Sequence, residues 1–227
     1  MAEYHAKQRT SERCRRICRH GRKVRKIFQP RTRGRRLTPK MPIIIVWDTE
    51  YTTWDGAMAR GWSGEGEYRE LVQLAAQKLD LSSGEILDVM DIFVRPVRNP
   101  ELSDCFKDLT AITQEQVDKQ GLSFAEAYQQ FKEFAGDTPC FSYGMDCVIL
   151  QEGCVLNDMV YDLRCPFLDA TVFIKNAGID VRQYTSGTVS KAFDIDLPGH
   201  VHNAMHDVDS LTQALCALHK KLPVKVA

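Results

Sequence analysis

The sequence predicts an α/β protein built on a mixed sheet, and three observations lead there. An uncharged β-branched run, Ile43-Ile44-Ile45-Val46-Trp47, reads as a buried strand. Two strand-like segments then flank a Ser-Gly turn, and two helix-capping signatures follow them. The resulting order is three strands, helices, one more strand and further helices. No internal repeat is visible.

Leu71 to Leu79 and Ile86 to Val97 are predicted as a hairpin joined through Ser82-Ser83-Gly84. Thr113-x-x-Gln116 and Ser123-x-x-Glu126 are capping boxes, in which each side chain satisfies a free N–H at a helix start. Phe124, Tyr128, Phe131 and Ala135 recur at helical spacing until Gly136. Pro139 to Tyr143 is the fourth predicted strand, followed by short helices over 147–156 and 167–177 and a turn at Thr185-Ser186-Gly187. A last helix is expected from about Asn203 to Lys221, with Val208, Leu211, Leu215, Leu218 and Leu222 as its buried stripe.

The 227 residues carry 30 Lys+Arg and 30 Asp+Glu, but the charges are segregated. Residues 1–40 hold 15 basic residues against Glu3 and Glu12, so the remainder is a net −13. The basic stretch lacks apolar periodicity and is expected to be a disordered extension preceding a domain over 41–227. A phosphate-binding arm and a mitochondrial presequence are the other readings of that stretch. No apolar run approaches the roughly 20 residues of a membrane span, and the first residues lack the core of a secretory signal. The eight cysteines form no CxxC pair, so reduced thiols and a cytoplasmic location are expected. Cys14, Cys18 and His20 lack the second pair that a zinc site would require.

Asp48-Thr49-Glu50 stands where the first strand runs out. Residues two apart on a strand share a face, so Asp48 and Glu50 project together. Such a pair repels itself unless a cation lies between them, and hard oxygen ligands select Mg²⁺ or Mn²⁺. Asp146 follows the fourth strand near a helix start, and Asp207 falls in the last helix. Residues five apart on a helix are about 140° apart around its axis. If Asp207 faces the sheet, His202 therefore reaches the same site only from the turn before the helix, which Pro198-Gly199 permits. A zinc site of His200, His202 and His206 is the competing reading; it leaves Asp48 and Glu50 unexplained. Without it, His200 and His206 are expected on polar surface.

Taken together, these residues resemble the DEDDh 3′→5′ exonucleases. The first motif is Asp48-Thr49-Glu50, the second is Asp146 with Leu150 after it, and the third is His202 with Asp207. Arg69-Glu70-Leu71-Val72-Gln73, Phe93-Val94-Arg95-Pro96 and Leu109-Thr110-Ala111-Ile112-Thr113 are similar to the enhanced-RNAi-type and KapD sporulation-inhibitor branch. The resemblance spans about residues 43–222. It departs at the second motif, where Tyr143 replaces the usual Trp and only Met145 separates Gly144 from Asp146.

The resemblance implies an RNase H-like mixed five-stranded sheet flanked by helices. It also implies hydrolysis of single-stranded RNA or DNA from the 3′ end to 5′-monophosphates. Asp48, Glu50, Asp146 and Asp207 would hold two Mg²⁺ or Mn²⁺ ions, and His202 would be the general base. Thr49, Tyr51 and Trp54 are candidates to contact the 3′-terminal nucleotide, with loop packing the competing account of Trp54 and Trp62. A nucleic-acid-binding protein with an inactive nuclease-like domain is the alternative function.

Overall fold

The computed structural model describes residues 43–144 and 146–221. The basic segment 1–40, with Cys14, Cys18 and His20, lies outside the described residues, as do Met145 and Leu222.

Strands β1 (Ile43–Tyr51), β2 (Leu71–Asp80) and β3 (Glu85–Phe93) form an antiparallel meander. β4 (Cys140–Ser142) and β5 (Phe167–Asp169) add parallel strands on the other side, giving the order β3-β2-β1-β4-β5. The expected mixed five-stranded sheet is thus present. Gly84 closes the β2–β3 hairpin at φ +77°, a conformation open to glycine at little cost.

Alternation along β1 feeds two cores. Ile45 and Trp47 pack with Phe131 of α3 (Phe124–Ala135) and Leu150 of α4 (Cys147–Leu156). Ile44 and Val46 pack on the other face with Val208, Leu211 and Leu215 of α6 (Ala204–Lys221). The central strand is buried on both faces because helices cover both, which explains its unbroken apolar run. Both capping boxes form, at the starts of α2 (Gln114–Gln120) and α3. A further helix, α1 (Asp104–Thr110), begins at Ser103, whose hydroxyl accepts the Phe106 N–H.

Four boundaries differ from expectation, each for a local reason. β1 continues through Asp48 and Glu50, which lie opposite Ala75 and Gln73, and bulges only after Glu50. The second hairpin strand stops at Phe93 instead of Val97: Val94 bridges Leu122, and the Glu70 carboxylate takes the N–H groups of Val97, Arg98 and Asn99. The segment predicted as helix from 167 begins as β5, because its backbone pairs with β4. Asp169 then caps α5 (Ala170–Asn176) through the Thr171 N–H. Ser186-Gly187 is more than a turn, for it opens a 3₁₀ run to Phe193 packed against α6.

Candidate active site

The acidic residues gather at the carboxyl ends of β1 and β4, the end of a parallel pair where α/β proteins place their ligands. Asp48 and Glu50 continue the face of Ile44 and Val46, so they point toward α6. Asp207 stands in the first turn of α6 and is 1% exposed. A carboxylate oxygen of Glu50, one of Asp207 and a ring nitrogen of His202 lie within 4.8 Å of one another.

Asp146 arrives from the opposite layer. It precedes α4 without capping that helix through its side chain; its Oδ1 instead accepts the Thr49 hydroxyl at 2.7 Å. Thr49 points away from Asp48 and Glu50 by strand alternation, so the carboxylates flank the end of β1 from both faces. Thr49 itself is buried and its hydroxyl is committed to Asp146.

His202 reaches the cluster as the helical geometry required, from the turn before α6. Its φ of +69° is unusual for a non-glycine residue, and its N–H donates to Asp207 Oδ1 at 3.1 Å. The other Asp207 oxygen accepts the Ser186 hydroxyl at 2.6 Å. Gly187 is required here, because a Cβ would stand 2.3 Å from Asp207 Oδ1. The start of α6 is pinned to the sheet by buried Gln73: its Oε1 accepts the Ala204 N–H and its Nε2 donates to Asp91.

Burial raises all four acids, and repulsion among them adds to the rise at Asp48 and Glu50. Burial pushes the Asp48 carboxyl well above its ordinary value, and Asp146, Glu50 and Asp207 add to the rise. Glu50 is pushed up to about 9 by burial and by Asp207 and Asp146. Asp146 rises to about 6 through burial, opposed by the Thr49 and Ser142 hydroxyls. Burial raises Asp207 too, against the Ser186 hydroxyl, the His202 backbone and the two neighbouring imidazoles. Four clustered carboxylates, two of them buried and none hydrogen-bonded to a Lys or Arg among the described residues, are a poor apoprotein arrangement and a good oxygen-donor set for hard divalent cations. The donor set therefore fits a divalent metal.

The three histidines diverge. His200 meets the Leu109 carbonyl at 2.9 Å and His206 meets that of Gly187 at 3.1 Å, so His202 alone of them joins the cluster. The expectation that His206 sits on polar surface is corrected: it is 9% exposed, buried against the 3₁₀ run that also supplies Ser186. Tyr51 packs on Trp62 with ring centroids 5.6 Å apart, and the Arg69 guanidinium covers both rings. Trp54 is half-buried, and its carbonyl accepts the Ala57 N–H in a tight turn. Ser186 and Gly187 entered the sequence reading only as a turn, Gln73 only within a resemblance motif, and His206 only in the competing zinc site. Each of them acts at the site only through a fold contact.

Residues 45–215 match the sequence profile of the RNase_T exonuclease family. The chain is 24% identical over 136 residues to the probable 3′-5′ exonuclease KapD of Bacillus subtilis strain 168, covering 59% of this chain and 63% of that protein. It is 32% identical over 91 residues to ERI1 exoribonuclease 2 of Xenopus laevis, covering 40% of this chain and 12% of that one. The chain thus spans less than two thirds of either relative. In three dimensions it is similar to the nuclease domain of 3′hExo, a DEDDh family member solved with rAMP, at a TM-score of 0.71 and 19% identity over 81% of this chain and 94% of that one. Cell-death related nuclease 4 superimposes at a TM-score of 0.67 and 18% identity over 81% of this chain and 65% of that one. With three quarters of its length inside the family profile, and the sheet and helices of the DEDDh nucleases, the chain belongs to the RNase T exonuclease family.

Proposed function

We propose that the protein is a metal-dependent 3′→5′ exonuclease that shortens single-stranded RNA or DNA and releases 5′-monophosphates. The observation that carries the reading is the convergence of Glu50, His202 and Asp207 within 4.8 Å, beside buried Asp48 and the Asp146 carboxylate whose charge acts on it. Asp48, Glu50, Asp146 and Asp207 would hold two Mg²⁺ or Mn²⁺ ions. When bound, such ions lower the pKa of water and stabilise charge on the phosphate and the leaving oxygen.

The chain's own residues supply the rest. A ring nitrogen of His202 accepts a proton from the attacking water as its oxygen bonds to phosphorus. The bond to the 3′ oxygen of the upstream nucleotide breaks, and the phosphate departs on the released nucleotide. The Glu50 and Asp207 carboxylates beside the ring stabilise the imidazolium that forms. General-base catalysis of this kind is worth about 10²–10⁴-fold in rate. Ser186 and the His202 N–H hold both oxygens of Asp207, and Thr49 holds Asp146, so the carboxylates are set before substrate arrives.

A nucleic-acid 3′ end as substrate is supported by two further structural neighbours, a 3′-exonuclease with 3′-end specific recognition of a histone mRNA stem-loop and an exonuclease I complex with single-stranded DNA. Tyr51 and Trp54, just past the acidic pair, are our candidates for contact with the terminal nucleotide. No helix among the described residues is long and apolar enough to cross a membrane, and the six described cysteines are free thiols, which supports a reducing, cytoplasmic setting.

The test is end-labelled single-stranded RNA and DNA incubated with wild type or Asp48→Ala, with Mg²⁺ or Mn²⁺ and then with EDTA. Stepwise shortening from the 3′ end should disappear with the substitution or the chelator. Metal-independent degradation, or a fully active Asp48→Ala, defeats the reading. Deleting residues 1–40 should leave turnover in place; a protein without turnover whose RNA affinity vanishes with that deletion would be a nucleic-acid-binding protein instead.

A further inference from the structure

Two buried amides stand on the face of β2 that meets α6. Gln73 is 1% exposed and Gln77 is 2% exposed. A polar side chain this deep weakens a core unless its amide is hydrogen-bonded at both ends. Both amides are. Gln73 Oε1 accepts the Ala204 N–H at 3.0 Å, and its Nε2 donates to Asp91 Oδ1 at 2.8 Å. Gln77 repeats the arrangement further along the strand: its Oε1 accepts the Thr212 hydroxyl at 2.8 Å, and its Nε2 donates to Asp209 Oδ1 at 2.6 Å. The helix is therefore fixed along its axis at two points, and a slide of α6 over the sheet would break both.

The first of these anchors lies at the acidic cluster. Gln73 is directly opposite Glu50 in the β1–β2 ladder, and side chains so paired have Cβ atoms about 4.5–5.5 Å apart. Its contact on the helix, Ala204, stands between His202 and Asp207 in the chain. One amide thus spans from the strand that carries Glu50 to the helix that carries Asp207. The first N–H groups of a helix have no partner within it, and here the sheet supplies one in place of a cap beside it in sequence. Which end of the amide faces the helix is decided further out. The oxygen and nitrogen of an amide have nearly the same shape, and turned over Gln73 would set its NH₂ against the Ala204 N–H, donor to donor. A carboxylate only accepts. Asp91, exposed on the edge strand β3, therefore holds the Nε2 side and leaves Oε1 to the helix.

We propose that Gln73 is a positioning residue for the exonuclease reaction and that Asp91 acts through it, the two together setting the spacing between Glu50 and the His202 and Asp207 pair. The inference rests on the exonuclease reading above and extends it to a surface carboxylate on the edge of the sheet. Rate follows from that spacing, because reacting groups displaced by 1 Å can lose about 10²-fold.

The experiment compares three variants with wild type. Gln73→Met keeps the length of the side chain and removes both hydrogen bonds. Asp91→Ala removes the orienting carboxylate from an exposed position, and Asp91→Asn keeps an acceptor oxygen there. Each is assayed for kcat and KM on a single-stranded oligonucleotide at saturating Mg²⁺, and for hydrogen exchange of the Ala204 N–H in EDTA. Gln73→Met should lower kcat about 10–100-fold with KM within about twofold of wild type. Its Ala204 N–H should exchange about tenfold faster, the scale of a lost buried hydrogen bond. Asp91→Ala should shift both readings in the same direction by about 3–10-fold, and Asp91→Asn should match wild type. Faster exchange at an unchanged kcat makes the contact purely structural and overturns the proposal. So does wild-type behaviour of Asp91→Ala, or an Asp91→Asn as impaired as Asp91→Ala. The exposed Asp91 variants decide the matter if Gln73→Met fails to fold. Failure of wild type to shorten the oligonucleotide is a different result, and it overturns the exonuclease reading itself.

Discussion

The Ser186 hydroxyl donates to Asp207 Oδ2 at 2.6 Å, which ties the last acidic residue to a 3₁₀ segment 21 positions upstream. Removing the hydroxyl leaves one oxygen of a buried carboxylate without its donor, at a cost of about 1.5–3 kcal/mol. Ser186→Ala should raise the half-saturating Mg²⁺ concentration about tenfold while the protein remains folded. Gly187→Ala should be far more damaging, because its Cβ would stand 2.3 Å from Asp207 Oδ1. Metal titrations of activity, with melting curves, separate the two; equal effects from both changes would contradict the contact.

The acidic cluster should be a stability defect in the metal-free protein. Burial raises the folded pKa of Asp48 far above its unfolded value, and Glu50 is raised to about 9. These groups are neutral in both states below the unfolded carboxylate range, so stability is complete there. It declines as pH climbs from about 4 toward 9, because the unfolded chain releases protons that the folded one retains. In EDTA, Asp48→Asn should melt about 3–6 °C above wild type at pH 8, with a smaller gap at pH 5. Mg²⁺ should raise the wild-type melting temperature and reverse that order. A lower melting temperature for metal-free Asp48→Asn at pH 8 would show that the repulsion is absent.

His202 combines a strained backbone with a ring placed against Glu50 and Asp207. Asparagine tolerates φ near +60° better than most residues, so His202→Asn removes the imidazole and keeps the turn. Its kcat should fall about 10²–10⁴-fold, with the melting temperature within about 2 °C of wild type. Single-turnover rates measured beside melting curves check this. A kcat within fivefold of wild type would remove His202 from the chemistry.

Glu70 is 7% exposed, and its carboxylate accepts the N–H groups of Val97, Arg98 and Asn99. It joins the start of β2, next to Arg69, to the loop that follows β3. Glu70→Ala leaves those donors unpaired and should destabilise the fold by about 2–4 kcal/mol. For a domain of this size that lowers the melting temperature by roughly 5–15 °C. Glu70→Gln, which keeps one acceptor oxygen, should fall between the two. Thermal unfolding at pH 7 decides the order.

Periodicity made the elements legible wherever one face of an element decided burial. The β1 run from Ile44, both capping boxes and the α6 stripe as far as Leu218 are local signals that the fold forms as expected. β5 was not readable in this way, since three residues carry no period and its pairing with β4 depends on backbone register across 27 positions. The same holds for the end of β3, which is set by a carboxylate at Glu70 that no turn rule predicts.

Within the site, strand alternation was enough to pair Asp48 with Glu50 and helical periodicity to require that His202 enter from a turn, while the resemblance to the DEDDh motifs nominated Asp146, His202 and Asp207 beside them. Those two geometric readings follow because side-chain direction on a strand or helix is fixed by its period. Folding alone decided which groups hold the acids in place. Ser186, Gly187, Gln73 and Thr49 act through contacts that cross from a 3₁₀ run, a neighbouring strand or the opposite face of the sheet. Such contacts leave no interval to read, since the distance between two side chains in space is independent of their separation along the chain.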